Sequence, residues 1–201
     1  MYTEEQVAQL LKTLHVPVTD FDCGTLCAPG NGGVPVCCDK SQIVPVLYKT
    51  EYRLLRKRSR LWKPYQAKTA HQRELKEDTR ACDKVCECRG VAHCERDNRS
   101  IVCRTFPFEP YLDHDDELVG LVYNFDFQGL CPLVGSRHPI RDDYIDQALN
   151  MWTLAFGWSE AEREFYHDHS ETLRRSFGQK RRKIPVFTRE GRRLMPTRRR
   201  G

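Results

Sequence analysis

Apolar residues recur at helical spacing at both ends of the chain, and the middle has little regular pattern. Near the N-terminus, Val7, Leu10, Leu11 and Leu14 mark one face of a short amphipathic helix over residues 1–15. Thr3 and Gln6 have the spacing of a capping box at its start. Near the C-terminus, Tyr144, Ile145, Ala148, Leu149, Trp152 and Phe156 predict a longer helix, capped by Asp142 or Asp143 and stopped by Gly157. Ser159 with Glu162 opens a further helix through Phe165, Tyr166, Leu173 and Phe177.

Between these ends the pattern breaks up. Residues 22–40 are rich in turn formers (Gly24, Pro29, Gly30, Asn31, Gly32, Gly33, Pro35), yet they contain four cysteines. Such a segment cannot hold its shape through regular hydrogen bonding, so something else must fix it. Pro45 limits the apolar run 43–47 to a short edge strand. Tyr52, Leu54, Leu55 and Leu61 suit a basic amphipathic helix over 50–62, whereas 66–81 reads as an exposed loop or a weak helix. Residues 82–103 are again dense in cysteine, 113–117 are acidic, and 118–127 alternate as a strand does. The chain shows no repeat of fixed period. The expected fold is a small α+β domain, mainly α, with irregular cysteine-rich loops and a few short strands over 1–177, organised around a metal centre. A basic, flexible tail over 178–201 follows.

Charge sharpens that division. The chain of 201 residues has 33 Lys and Arg, 28 Asp and Glu, and a net charge of +5. From 174 to 201 there are 12 basic residues and one acidic residue, which leaves 21 basic against 27 acidic in the rest. The body is mildly acidic and the basic character belongs to the end of the chain, which argues against a nucleic-acid binder as a whole. Lys180-Arg181-Arg182-Lys183 and Arg198-Arg199-Arg200 suit phosphate contact, a solvating tail or docking onto an acidic protein partner. No apolar run reaches the ~20 residues of a membrane span, and the start Met1-Tyr2-Thr3-Glu4-Glu5 is unlike a secretory signal, so a cytoplasmic location without membrane contact is expected.

Ten cysteines in a reducing compartment point to metal. The first group is Cys23-x3-Cys27-x9-Cys37-Cys38. The second is Cys82-x3-Cys86-x-Cys88-x5-Cys94-x8-Cys103, with Cys131-Pro132 far downstream. Short loops close at little entropic cost, and thiolates bind soft metals strongly. The adjacent Cys37-Cys38 pair suits two thiolates on a cluster, or one on each of two sites. The spacing matches neither the paired Cys-x2-Cys of a zinc ribbon nor the Cys-x2-Cys-x2-Cys of bacterial ferredoxins. A disulfide framework is the alternative for an exported chain. Cys82 and one of Cys86 and Cys88 are the best candidates for ordinary core residues.

Residues 94–107, CERDNRSIVCRTFP, together with Cys37-Cys38 resemble the signature of the YkgJ-like cysteine-cluster family of zinc- or iron-chelating domains. Two features depart from that pattern: a Gly-rich insertion separates Cys27 from Cys37, and Ser100 stands where the family has proline. Cys131-Pro132 resembles the branch that includes flagellin lysine-N-methylase. The resemblance spans roughly residues 22–132. It implies a metal centre built from Cys23, Cys27, Cys37, Cys38, Cys94 and Cys103, completed by Cys86 or Cys88 and by Cys131. Eight thiolates suffice for two four-cysteine sites or one polynuclear centre. An iron–sulfur cluster is preferred over zinc, because scattered ligands on irregular loops are common in cluster proteins. Three uses follow: a structural or carrier role, a protein lysine methylase suggested by the resemblance alone, and a zinc-stabilised interaction module whose basic tail contacts nucleic acid.

Arg99 and Arg104 flank the second group. They suit either offsetting thiolate charge beside the bound centre or salt bridging with the acidic body. Phe106-Pro107-Phe108 reads as core packing or a hydrophobic cover for the site. His93, beside Cys94, is a substitute ligand. His167 and His169, with Asp168 and Glu171, read as a solvated helix face because positions i and i+2 point apart. Asp113-His114-Asp115-Asp116 reads as a charged turn. The chain has no nucleophile elbow, phosphate-binding loop or dinucleotide fingerprint, and no catalytic residue can be assigned.

Overall fold

The computed structural model describes residues 1–41, 43–77 and 79–198. It is an α+β fold with two small antiparallel sheets. Helix α1 (Glu4–Thr13) starts at the expected capping box: Thr3 Oγ1 accepts from Gln6 N at 3.2 Å, and Gln6 Oε1 accepts from Thr3 N at 2.9 Å. Its apolar face, with Val7, Leu10 and Leu11, is buried against α3 (Lys49–Arg58) and α6 (Asp142–Trp158). Between α1 and α3 lie the one-turn helix α2 (Gly24–Cys27), two 3-10 turns (Ala28–Gly30 and Val36–Cys38) and strand β1 (Val46–Tyr48).

The first sheet has the order β1-β3-β2, with β2 at Trp62–Pro64 and β3 at Asp83–Cys88, so β1 is an edge strand as Pro45 requires. The helix expected over 50–62 ends at Arg58, because Trp62 pairs with Cys88 in the sheet. Residues 66–81 contain the helix α4 (Ala70–Glu77). Central strand β3 lies inside the cysteine-dense stretch that reads as irregular. Its burial on both faces explains why no alternation betrays it.

After α5 (Ile101–Thr105), strands β4 (Phe108–Leu112) and β5 (Leu118–Tyr123) form a hairpin joined by the acidic turn. There Asp113 Oδ1 accepts from Asp115 N and Glu117 N, so these acids cap a turn. The strand expected to reach 127 stops at Tyr123, and a 3-10 turn (Phe125–Phe127) follows. Asp142 and Asp143 do not cap α6. They occupy its first turn, where they favour the helix dipole, and Arg141 is the capping position. The helix runs past Gly157 to Trp158. Ser159 then caps α7 (Glu160–Gln179), its Oγ accepting from Glu162 N at 3.3 Å.

The expected loose tail is corrected by the last two strands. Residues β6 (Ile184–Thr188) and β7 (Gly191–Met195) form a hairpin that extends the second sheet to the order β4-β5-β6-β7. Ile184 and Val186 are fully buried against Tyr111 and Val122, with Leu173 and Phe177 of α7 beside them. The few apolar residues of this basic stretch are placed where the sheet needs them. At Gly120 the strands approach so closely that a Cβ would meet Val186 Cγ1 at 2.4 Å and the Phe187 carbonyl oxygen at 2.6 Å. Arg199 and Arg200 lie outside the described residues. Among the described residues, no helix is long and apolar enough to cross a membrane.

Candidate metal centre

Eight of the ten cysteines form a connected electrostatic neighbourhood. Cys23 faces Cys131 and Cys27, Cys131 also faces Cys27, and Cys37 faces Cys23. These four line one cavity of about 400 Å³, together with Cys103, Arg99, Phe106 and Pro107. On its other side, Cys88 faces Cys38 and Cys94, and Cys103 faces Cys88 and Cys38. Cys37 joins the two sides: its thiol is hydrogen-bonded to Cys38 and also neighbours Cys103 and Cys23, so the eight sulfurs form one continuous neighbourhood.

Donors aim at these sulfurs. Val36 N donates to Cys27 Sγ at 3.4 Å, Gly90 N to Cys88 Sγ at 3.3 Å and Arg99 Nε to Cys94 Sγ at 3.0 Å. Backbone amides of Leu133 and Val134 near Cys131 work against the rise that burial causes in its thiol, and Val134 N donates to the Cys131 carbonyl at 3.0 Å. Hydrogen bonds to sulfur stabilise thiolates and tune bound clusters. Cys27 also donates to the Gly24 carbonyl at 3.6 Å.

Cys82 and Cys86 stand apart from these eight. Their thiols are set against oxygens, Cys82 against Asp83 Oδ1 at 3.5 Å and Cys86 against the Lys84 carbonyl at 3.4 Å. The neighbours of Cys86 are Lys84 and Glu51, so Cys88 is the member of that pair brought to the candidate site.

Burial pushes the thiols of Cys23, Cys88 and Cys131 up, and that of Cys103 to about 12. Cys37 is held protonated above all by its hydrogen bond to Cys38. That same bond, helped by the charge of Arg99, lowers Cys38 to about 7.

The two arginines divide their work. Arg99 touches a cysteine, as just described. The Arg104 guanidinium binds backbone carbonyls: Nη1 reaches Leu11 O at 3.0 Å and Leu14 O at 2.7 Å, Nη2 reaches Asp97 O at 2.8 Å, and Nε reaches Arg99 O at 2.9 Å. It ties the end of α1 to the turn that carries Cys94 and Arg99, and so positions the site.

Two positioning residues escape sequence reasoning. Ser100 caps α5 by accepting from Cys103 N at 3.4 Å. Glu51, fully buried, accepts from Ile101 N at 2.6 Å and from Tyr48 N at 3.3 Å, so α3 and α5 share one carboxylate. A lone acid in the first turn of an otherwise basic helix is the signal for Glu51. Nothing in one sequence marks its partner.

Other candidates are dispersed. His93 is exposed. His167 Nδ1 pairs with Asp116 at 2.9 Å and His169 Nε2 with Glu109 at 2.8 Å, so the two rings do point apart. His167, Asp168 and Glu171 are the trio of potential ligands whose atoms close to within 4.8 Å of one another among the described residues, and the two acids are exposed. Phe106 and Pro107 line the cysteine cavity, whereas Phe108 packs in the core against Tyr123. No protein-family model, curated protein or solved structure matches this chain.

Proposed function

We propose that this chain is a metal-binding protein of the YkgJ-like cysteine-cluster kind, holding an iron–sulfur centre in preference to zinc. Cys23, Cys27, Cys37, Cys38, Cys88, Cys94, Cys103 and Cys131 would hold it. The observation that carries the reading is the sorting of the sulfurs. Cys27, Cys88 and Cys94 of the eight accept from N–H donors, whereas Cys82 and Cys86 meet oxygens, although Cys27 also meets the Gly24 carbonyl. The donor set fits an all-thiolate centre, since Arg99 offsets charge on one side and backbone amides do so on the other.

The preference for a cluster rests on ligands scattered over irregular loops. Among the described residues no three cysteine sulfurs come within 4.8 Å of one another, so loading either metal requires the loops to draw them together. A cluster, when bound, supplies one-electron redox chemistry. The thiols would release their protons to solvent on loading, Phe106 and Pro107 would shield them, and Arg99 would hold the Cys94 sulfur.

The test is anaerobic purification followed by visible absorption, iron and acid-labile sulfide analysis. A brown protein with iron and sulfide is expected, and Cys103→Ser should lower the content of both. A colourless protein with stoichiometric zinc and no sulfide would overturn the cluster assignment, and one without metal would overturn the whole reading.

A further inference from the structure

A second cleft, of about 410 Å³, opens where the C-terminal half of α7 meets the turn after β5. Its volume lies in the range of small-molecule sites, ~300–1,000 Å³. No cysteine lines it. The apolar wall is aromatic: Phe125 and Phe177 stand 5.0 Å apart with their planes at 60°.

Glu109 lies in the cleft with both oxygens engaged, one accepting from Asn124 Nδ2 at 2.7 Å and the other paired with His169 Nε2 at 2.8 Å. The hydrogen bond to Glu109 raises the His169 pKa, so the pair brings a proton and a charge that balance. Lys180 and Arg182 complete the lining from the turn between α7 and β6. That turn is fixed by Arg181 N donating to Gly178 O and Arg182 N to Phe177 O. Among the described residues neither Lys180 nor Arg182 is in an ion pair, whereas Arg175, Arg189 and Arg193 nearby in sequence each have a carboxylate partner. Asp126 is the remaining acid against these two cations, so the cleft carries net positive charge.

Two unpaired cations beside an aromatic wall fit a phosphate joined to a flat ring. Glu109, His169 and Asn124 are engaged with one another and with Asp126 N, which leaves the Gln128 amide as a polar lining group that a plain aryl ring would not meet. A nucleobase presents donors and acceptors along its edge. We propose that this cleft binds a nucleoside monophosphate, with Lys180 and Arg182 on the phosphate and the base against Phe125 and Phe177. The same chemistry is offered by a free nucleotide and by the 5′-terminal nucleotide of a nucleic-acid strand.

The test is calorimetric titration of the full chain, as purified, with AMP at low salt. One saturable site is expected, with adenosine, inorganic phosphate and phenyl phosphate each at least about tenfold weaker. The double variant Lys180→Gln/Arg182→Gln should weaken AMP by at least about tenfold, as loss of charge-assisted hydrogen bonds does. Phe177→Leu should weaken AMP and leave inorganic phosphate unchanged. Circular dichroism and metal content equal to those of the parent establish that each variant is folded. Competition with AMP by 5′-phosphorylated but not 5′-hydroxyl decaadenylate would identify a strand end as the source, and no competition by either would identify the free nucleotide. The proposal is overturned if AMP does not bind, if phosphate or phenyl phosphate binds as tightly, if the folded double variant keeps its affinity, or if both oligonucleotides bind alike.

Discussion

The segment 22–40 and the helix α6 are of similar length, yet they hold their shapes in opposite ways. In α6, eight of 17 residues are buried, and Trp152 alone meets the rings of Phe156 and Tyr166 at 5.7 and 4.8 Å. In 22–40 the buried residues are Gly24 and Val36, and the longest regular element is one turn of helix. Ordering a residue's backbone costs about 1–2 kcal/mol, and α6 offsets that with apolar burial and helical hydrogen bonds. The cysteine segment buries little and is held by turn hydrogen bonds, among them Gly33 N to Ala28 O, Cys38 N to Pro35 O and Asn31 Nδ2 to Asp39 Oδ2, with Val36 N to Cys27 Sγ beside them.

That contrast can be broken from either side. Trp152→Ala should destabilise the protein by about 3–5 kcal/mol in chemical denaturation while leaving the metal-to-protein ratio of the folded fraction unchanged. Gly120→Ala drives a methyl group into the β6 backbone and should cost about 1–3 kcal/mol, loosening the C-terminal hairpin but not the cysteine groups. Cys82→Ser should change stability by less than about 0.5 kcal/mol and metal content not at all, since its thiol meets Asp83 outside the eight. Metal-free protein should also show an order of thiol reactivity. At pH 7 Cys38, whose thiol is lowered by its hydrogen bond to Cys37 and by Arg99, should be alkylated ahead of Cys103, whose thiol burial pushes up. Mass spectrometry of iodoacetamide-treated protein reads this directly, and a faster Cys103 would contradict the grouping.

The same contrast explains what the sequence made legible. Where one apolar face is repeated, as in α1, α6 and α7, period and caps predict the elements to within a few residues. Where burial is two-sided, as in β3, or where a few apolar residues dock a charged hairpin, as Ile184 and Val186 do, local pattern is silent and the sheet decides. The cysteines were legible as candidates. Cys86 and Cys88 share one face of strand β3, and their different neighbours, Glu51 and Lys84 for one and Cys38 and Cys94 for the other, come from the fold around the strand. Arg104 illustrates the limit. Its charge suggests a partner for sulfur, but the nearby carbonyls of α1 claim its guanidinium.

Hydrogen exchange read by mass spectrometry, on the metal-loaded protein and on the same protein stripped of metal, tests the central claim most directly. Amides of 22–40 and 94–104 should lose protection on stripping, while those of α6 and α7 keep theirs. Equal protection of 22–40 in both forms, or its loss together with α6 and α7, would contradict the account.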